Sequence, residues 1–570
     1  MNAFFLIGFA VTAFVAAYFL YGRWLAGIWG IDRNARTPAI RFEGQEDFAP
    51  ASKVTVFAHQ FTSIAGAGPI TGPVIGAMFG WLPALLRIVF GGIFMGAVHD
   101  FAALYASIKH DGKSLGTMLE AYVGRTGRNL FLIFCWLYTI LVGSAFTDIL
   151  ANTFEGFTPD GTKIFNNAAA ASTSILYTFA AIAFGAFVRR TNLAEELRFS
   201  IGLLLMMTMV SFGLELPIYL PAWGWRILVL GYCFAAAVLP LWFLIQPRNY
   251  LSSLLLLGMV VVGALGMMIR NPTLDMPAFT GWNVNGASLF PFLFTTVACG
   301  AISGFHSLVS SGISARSLSN EGDTLFVGYG AMLVESLLAV VALAVACSAS
   351  KGGVLPPGTP FQLFAGSIGS FLYKMGMPKE IARCLITVCI ACLAMTTIDS
   401  VIRTGRTTLQ ELMTPPDGRP GNIITRFCTS VDGSTAITTI SAYILCNIGY
   451  RAVWELFGAT NQLLASLVLI ALAVFMRITH RKCWMLCIPM IFMFIVTMSS
   501  LALTLHGITL KIMDGTFNVN DGLQMAVAMP LMILALLVAV HCGRELITGK
   551  VDEEPADSAE GKERPNCTNP

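Results

Sequence analysis

His59-Gln60-Phe61-Thr62-Ser63-Ile64-Ala65-Gly66-Ala67-Gly68-Pro69-Ile70-Thr71-Gly72-Pro73 is apolar enough to enter a bilayer and too rich in Gly and Pro to cross it as one unbroken helix. Proline removes a backbone donor and collides with the carbonyl one turn back, and glycine opens non-helical torsions. Lipid cannot satisfy the backbone groups this frees, so the interruption must line protein or a cavity. A second stretch, Thr295-Thr296-Val297-Ala298-Cys299-Gly300-Ala301-Ile302-Ser303-Gly304-Phe305-His306, is interrupted in the same way. If the two run in opposite directions, they are the broken pair that inverted repeats place around a midplane site. The half-helix after each break then turns free N–H groups toward the cavity, an arrangement that suits a carboxylate. The competing reading is close packing, since Gly68-x-x-x-Gly72 and Gly300-x-x-x-Gly304 are also small-residue helix contacts.

The rest of the chain places these breaks in a membrane. Its 570 residues are 56% hydrophobic and 12% charged, with a mean hydropathy of +0.72. Soluble domains carry about a quarter charged residues, so a soluble enzyme, a disordered protein and a nucleic-acid binder are excluded. The net charge of +3 implies no polyanionic partner. Segments long enough to span are 3–21, 54–79, 82–108, 129–150, 169–188, 199–217, 225–245, 250–269, 288–312, 324–349, 380–402, 433–449, 455–476, 483–506 and 522–543. That predicts an all-α polytopic membrane protein of about 15 transmembrane helices, within a range of roughly 14–18. The stretch 361–375 is apolar but short, and reads as re-entrant or interfacial. The run 3–20 lacks a basic leader and a small-residue cleavage site, and reads as an uncleaved first span.

Basic residues orient the spans. Arg23, Arg33, Arg36, Arg41 and Lys53 fall between the first two, and Arg189, Arg190, Arg198, Arg403, Arg406, Arg477 and Arg481 fall at later turns on the same side. By the positive-inside rule the N-terminus is outside and the C-terminus cytoplasmic. The polar end, 544–570, reads as a disordered cytoplasmic tail. Most of the 13 Cys lie in apolar runs and behave as small hydrophobes. Cys389-x-x-Cys392 sits mid-helix, outside the soluble setting that a redox pair needs.

Phe57-Ala58-His59-Gln60 through Pro69, Gly96-Ala97-Val98-His99-Asp100, Gly300 to His306, Gly328 to Glu335 and Phe457-Gly458-Ala459-Thr460-Asn461-Gln462-Leu463-Leu464 resemble the carbon starvation protein A family. The likeness extends to about residue 545. It implies inner-membrane uptake of peptides or pyruvate by a multi-pass bacterial transporter. It also implies a fold related to the amino acid–polyamine–organocation transporters, a LeuT-like inverted-repeat core with two broken helices plus extra helices. The implied division is an N-terminal transporter region, 1–350, and a C-terminal multi-span region, 351–543.

The candidate substrate contacts lie beside the breaks: Ser63, Ala65, Gly66, Gly68, Gly300, Ser303 and Gly304. Ionisable residues at membrane depth are costly and mark coupling sites. Glu335 lies mid-span, where a carboxyl can take up and release a proton. His59, His99, Asp100, His306 and Asp399 lie toward the cytoplasmic half, as a gate whose imidazoles switch charge near neutrality. The alternative is a transition metal or haem on these histidines, which would make the protein a membrane redox or sensor protein. No cofactor or metal is assigned.

The expectation is therefore a secondary active transporter, not an enzyme, importing small carboxylates with protons or sodium. No Gly-x-x-x-x-Gly-Lys motif is present to couple ATP. A channel is the other alternative, although no filter repeat is present.

Overall fold

The computed structural model describes residues 2–44, 48–191, 194–240, 243–356, 358–414, 422–447 and 450–548. Within these residues the regular structure is helical apart from a two-stranded hairpin, Asn283–Val284 with Ala287–Ser288. Eleven helices are long and apolar enough to cross a membrane. The other four expected spans are the two broken ones and two shorter helices, Ala222–Val238 and Val431–Cys446. The first of these short helices ends two residues before Pro240, because the residue preceding a proline is driven out of helical torsions. The short stretch after Thr359 forms Pro360–Lys374, started by a capping box between Thr359 and Gln362. The last helix, Val519–Thr548, continues past residue 543; the remaining tail, 549–570, lies outside the described residues.

Burial separates core helices from lipid-facing ones. Leu456–Ile478 is buried along its length and Glu321–Ala349 nearly so, as expected of helices that are apolar all round. Leu115–Thr153 and Lys379–Met413 pack along each other, and Tyr450–Ile478 lies against the former. Gly304–Gly312 contacts both Trp81–Lys109 and the Tyr450–Ile478 helix. Outward faces carry Phe179, Leu204, Val261 and Ile269, the apolar surface that hydrocarbon requires.

The two broken helices are Lys53–Ile64 with Gly68–Gly76, and Leu289–Thr296 with Gly304–Gly312. Gln60 bonds Ser310 and Ser314, while Gly68 faces Cys299, Gly72 faces Thr296 and Gly76 faces Val297 and Leu293. Rising numbers on one thus meet falling numbers on the other, so the pair is antiparallel. Both breaks open with the same tight turn, at Ala65 (φ −76°, ψ 64°) and Val297 (φ −86°, ψ 56°). Each broken helix is followed by a span with a π-helical stretch, Gly92–Gly96 in one and Leu325–Gly330 in the other. Tyr329 in the second stretch donates its hydroxyl to the Ile93 carbonyl in the first, at 3.2 Å. The turn thus recurs in both broken helices, and a third π-helical stretch, Tyr18–Gly22, interrupts the first span.

Candidate functional site

The first residues to place are the breaks. Gly66 lies against Thr397 and Phe146, Gly68 against the Cys299 side chain, Gly300 against Ala339, and Gly304 against Leu464, Ala465 and the Asn461 carbonyl. An added Cβ at any of these would overlap its neighbour. The glycines therefore bring backbones together in this conformation, and the space before them is filled by protein. Ser63 is buried, its hydroxyl 3.4 Å from Ser400 and its carbonyl 3.4 Å from the Thr397 hydroxyl.

Asn461 closes the second break. Its side-chain oxygen accepts from the Tyr138 hydroxyl (2.7 Å), the Ser303 hydroxyl (3.1 Å) and the Phe305 N–H (3.3 Å). The Phe305 N–H belongs to the first turn of Gly304–Gly312, where no intrahelical acceptor exists. A neutral amide oxygen thus occupies the position where a carboxylate oxygen would be favoured.

Beside this break lies a buried chain of four titratable side chains. Asp100 accepts from His99 Nδ1 at 2.8 Å and from His306 Nδ1 at 2.9 Å, and all three are fully buried. An ionised carboxylate only accepts, so both Nδ1 atoms carry protons. Each Nε2 of a neutral ring is then a bare lone pair. His306 Nε2 is 3.3 Å from Glu335 Oε2, within ion-pair reach but not aligned for a hydrogen bond. Two bare acceptors at that distance repel, so the approach is favourable only when one of them carries a proton. Among the described residues neither Glu335 oxygen has a hydrogen-bond partner, and the residue is fully buried. Such a carboxyl is costly unless something else neutralises or solvates it.

The remaining expected gate residues lie apart from this chain. Asp399 is buried against Arg248 and receives the Tyr232 hydroxyl at 3.1 Å; Arg248 also reaches that hydroxyl at 3.0 Å. His59 Nδ1 is 2.7 Å from the Asn249 amide nitrogen. The adjacent residues Arg248 and Asn249 thus hold Asp399 and His59 respectively. Sequence reasoning missed Arg248 and Tyr138. An intramembrane carboxylate demands a nearby cation, so Asp399 signalled that a partner existed without showing which one. Among the described residues no group of three or more His, Cys, Asp or Glu side chains is arranged to hold a metal ion.

Two of the cavities beside the broken helices exceed 100 Å³ among the described residues. One, of about 780 Å³, lies beyond Gly68–Gly76 and reaches Thr71, Thr295 and Thr296 at the edge of the breaks. The other, of about 300 Å³, lies at the opposite end, past Leu308 and Ser311 of the second broken helix.

The family model described as "Carbon starvation protein CstA" matches residues 2–355 and 353–500. The chain is 31% identical over 580 residues to the "Peptide transporter CstA" of Escherichia coli (strain K12), covering 88% of this chain and 81% of that one. It is 34% identical over 376 residues to the "Pyruvate/proton symporter BtsT" of the same organism, covering 63% of this chain and 51% of that one. Among solved structures, a manganese transporter of Eremococcus coleocola matches with a TM-score of 0.50 and 12% identity, over 90% of this chain and 99% of that chain. That last likeness is one of fold, to a membrane transporter.

Proposed function

From the premise that this chain belongs to the carbon starvation protein CstA family, we propose that it imports small carboxylates, peptides or pyruvate, coupled to protons, by alternating access across the bacterial inner membrane. The observation that carries the coupling is the His99–Asp100–His306–Glu335 chain, fully buried and ending on a carboxyl that has no hydrogen-bond partner among the described residues. Glu335 loads the proton, and the histidines and Asp100 hold its neighbours in register.

The substrate carboxylate binds at the breaks, between Ser63, Ala65, Gly66 and Gly68 on one helix and Gly300, Ser303 and Gly304 on the other. In the conformation described here that position is shut, and Asn461 takes the donors that a carboxylate would use. Entry is from the larger cavity, whose described lining residues carry no charge and which lies on the outer side in the positive-inside reading. The Arg248–Asp399 and Asn249–His59 contacts hold the helices around the gate. Residues 1–350 supply both broken helices and the proton chain, and 351–543 supply the helices that support them. The core is LeuT-like in this reading, supported by the repeated turn and π-stretch.

Uptake into proteoliposomes tests the proposal, comparing pyruvate with di- and tripeptides under an imposed pH gradient, a sodium gradient or none. Accumulation that needs a pH gradient is expected. Accumulation driven only by sodium moves the coupling away from the histidine chain, and equal flux without any gradient makes the protein a channel or facilitator. For orientation, a reporter after Asp160 is expected outside and one at Arg189–Arg190 inside.

A further inference from the structure

Arg87 takes no part in the site described so far. It lies in Trp81–Lys109, the span that follows the first broken helix, and it is buried. Arg248 faces Asp399, and Arg316, Arg403 and Arg406, around the smaller cavity, donate to the carbonyls of Gly112, Leu239 and Ala237. Arg87 has a barer setting. Its Nη2 donates to the Phe294 carbonyl at 3.5 Å, and its other neighbours are the sulfurs of Met95 (3.6 Å) and Met493 (3.8 Å) and the Phe294 ring, whose centre is 5.4 Å from the guanidinium carbon. Among the described residues it has no carboxylate partner, and its Nε has no hydrogen-bond acceptor. A cation at membrane depth is expensive without a partner, and such residues mark function.

The place of Phe294 makes this contact informative. It stands three residues before Val297, where the second break begins, near the end of the half-helix Leu289–Thr296. The last carbonyls of a helix lack intrahelical donors and carry its negative end. Here the Leu293 carbonyl accepts the Val297 N–H at 2.9 Å, and the Phe294 carbonyl accepts from Arg87 and from the Gln462 amide. Gln462 follows Asn461, whose side chain holds the Phe305 N–H across the break. Two adjacent residues of one core helix thus hold both half-helix ends, and Arg87 adds a charge to one of them. The first break differs. Its matching carbonyl is that of Thr62, three residues before Ala65, to which no side chain donates among the described residues. The next carbonyl, Ser63, is reached by the neutral Thr397 hydroxyl at 3.4 Å.

We propose that Arg87 sets the charge selectivity of the second break: it neutralises the C-terminal end of Leu289–Thr296, so that the N–H groups at the start of Gly304–Gly312 can hold a substrate anion. The two half-helix ends meet at one break and have opposite sign. Left uncompensated, the carbonyl end repels the carboxylate that the N–H end attracts. A buried cation acts strongly there, because little solvent screens it. The proposal rests on the transporter reading above and adds to it a positioning residue, one that acts through the half-helix rather than on the substrate.

The full chain in proteoliposomes tests this, with pyruvate and dialanine as substrates. Arg87→Met removes the charge and keeps an unbranched side chain. For the substrate carried, KM is expected to rise at least tenfold with kcat within about threefold, because binding of the anion is what the charge supports. Melting temperature should hold or rise, since a buried guanidinium without a counter-ion is lost. Arg87→Lys keeps the charge and should hold KM within about threefold of the unmutated protein. An unchanged KM in Arg87→Met overturns the proposal, as does a loss confined to kcat. Arg87→Lys as impaired as Arg87→Met traces the loss to shape and overturns it too. Where Arg87→Met gives no folded protein, Gln462→Glu decides. Both side chains reach one oxygen, so a carboxylate at 462 lies beside the guanidinium and cancels it at nearly equal shape. The same rise in KM is expected, and an unchanged KM overturns the proposal. If the unmutated protein carries neither substrate, the transporter reading fails and the proposal falls with it. Unchanged kinetics in Arg87→Met beside an active unmutated protein sink the role of Arg87 alone.

Discussion

Asp399 and Glu335 are both buried carboxyls in core helices, and their surroundings are opposite. Asp399 has a guanidinium, a phenol and a thiol (Cys233, 3.5 Å) directed at it. Among the described residues Glu335 has the Nε2 of His306, off line at 3.3 Å, and no hydrogen-bond partner for either oxygen. A buried ion pair with its hydrogen bonds complete is expensive to break and has one stable state. A buried carboxyl without such partners is costly in its charged form and can change its protonation when its surroundings change, which a coupled transporter needs. One carboxyl therefore ties helices together and the other is free to change.

The largest effect should come from breaking the closed pair. Arg248→Met leaves the Asp399 charge buried without its partner, a loss of about 3–5 kcal/mol by analogy with other buried pairs. Thermal stability in detergent should fall steeply, and adding Asp399→Asn should restore much of it. If Arg248→Met is as stable as the unmutated protein, Asp399 is not a structural lock.

A smaller loss is expected at the breaks. Gly68→Ala places a methyl group into the Cys299 side chain, and overpacking of that kind costs about 1–3 kcal/mol. Cys299→Gly should recover part of the loss, a coupling that a double-mutant cycle measures directly. Additive effects would mean that the two breaks do not touch.

Glu335→Gln sharpens the comparison, because stability and transport should separate. Gln keeps the shape and hydrogen-bonding capacity while removing the titrating group, so the stability change should stay within about 1 kcal/mol. Gradient-driven accumulation should fall at least tenfold, with substrate exchange partly retained. Accumulation at the unmutated rate would reduce Glu335 to a helix contact.

The smallest effect lies at the membrane edge. Lys511 Nζ donates to Asp521 at 2.6 Å, and this hydrogen bond holds the Asp521 carboxyl below its usual range. A carboxyl lowered by folding adds stability above its unfolded pKa of about 3.9, and the contribution is lost as pH falls through the folded value. Melting temperature should therefore dip slightly on acidification below about pH 4. Asp521→Asn should remove that part of the slope, whereas Glu335→Gln should leave it.

Much of this was legible in the chain because bilayer physics is strict. Gly66, Gly68, Pro69 and Pro73 cannot sit in one continuous lipid-exposed helix, so the break was readable, and the second break followed from Gly300 and Gly304. The residues between Gly96 and Asp100 and those between Gly328 and Glu335 carried the family resemblance, and the family model agrees. Depth along a span could also be estimated from rise per residue, which put His59, His99, Asp100, His306 and Asp399 toward the cytoplasmic half.

Which of those side chains meet was not readable. Depth is a one-dimensional quantity, and azimuth around each helix depends on packing against neighbours far away in the chain. The sequence by itself determined an all-helical membrane protein, its family, the two breaks and the presence of buried acids, because hydrophobic length and backbone satisfaction are local constraints. Only the tertiary structure decided that His306 and Asp100 join Glu335 while Asp399 pairs with Arg248, that Asn461 plugs the second break, and that three arginines share a cavity. The His306–Glu335 approach joins neighbouring helices, while the other contacts join residues about 150 or more positions apart and the cavity is walled by several helices; all follow from how helices rotate and cross when packed.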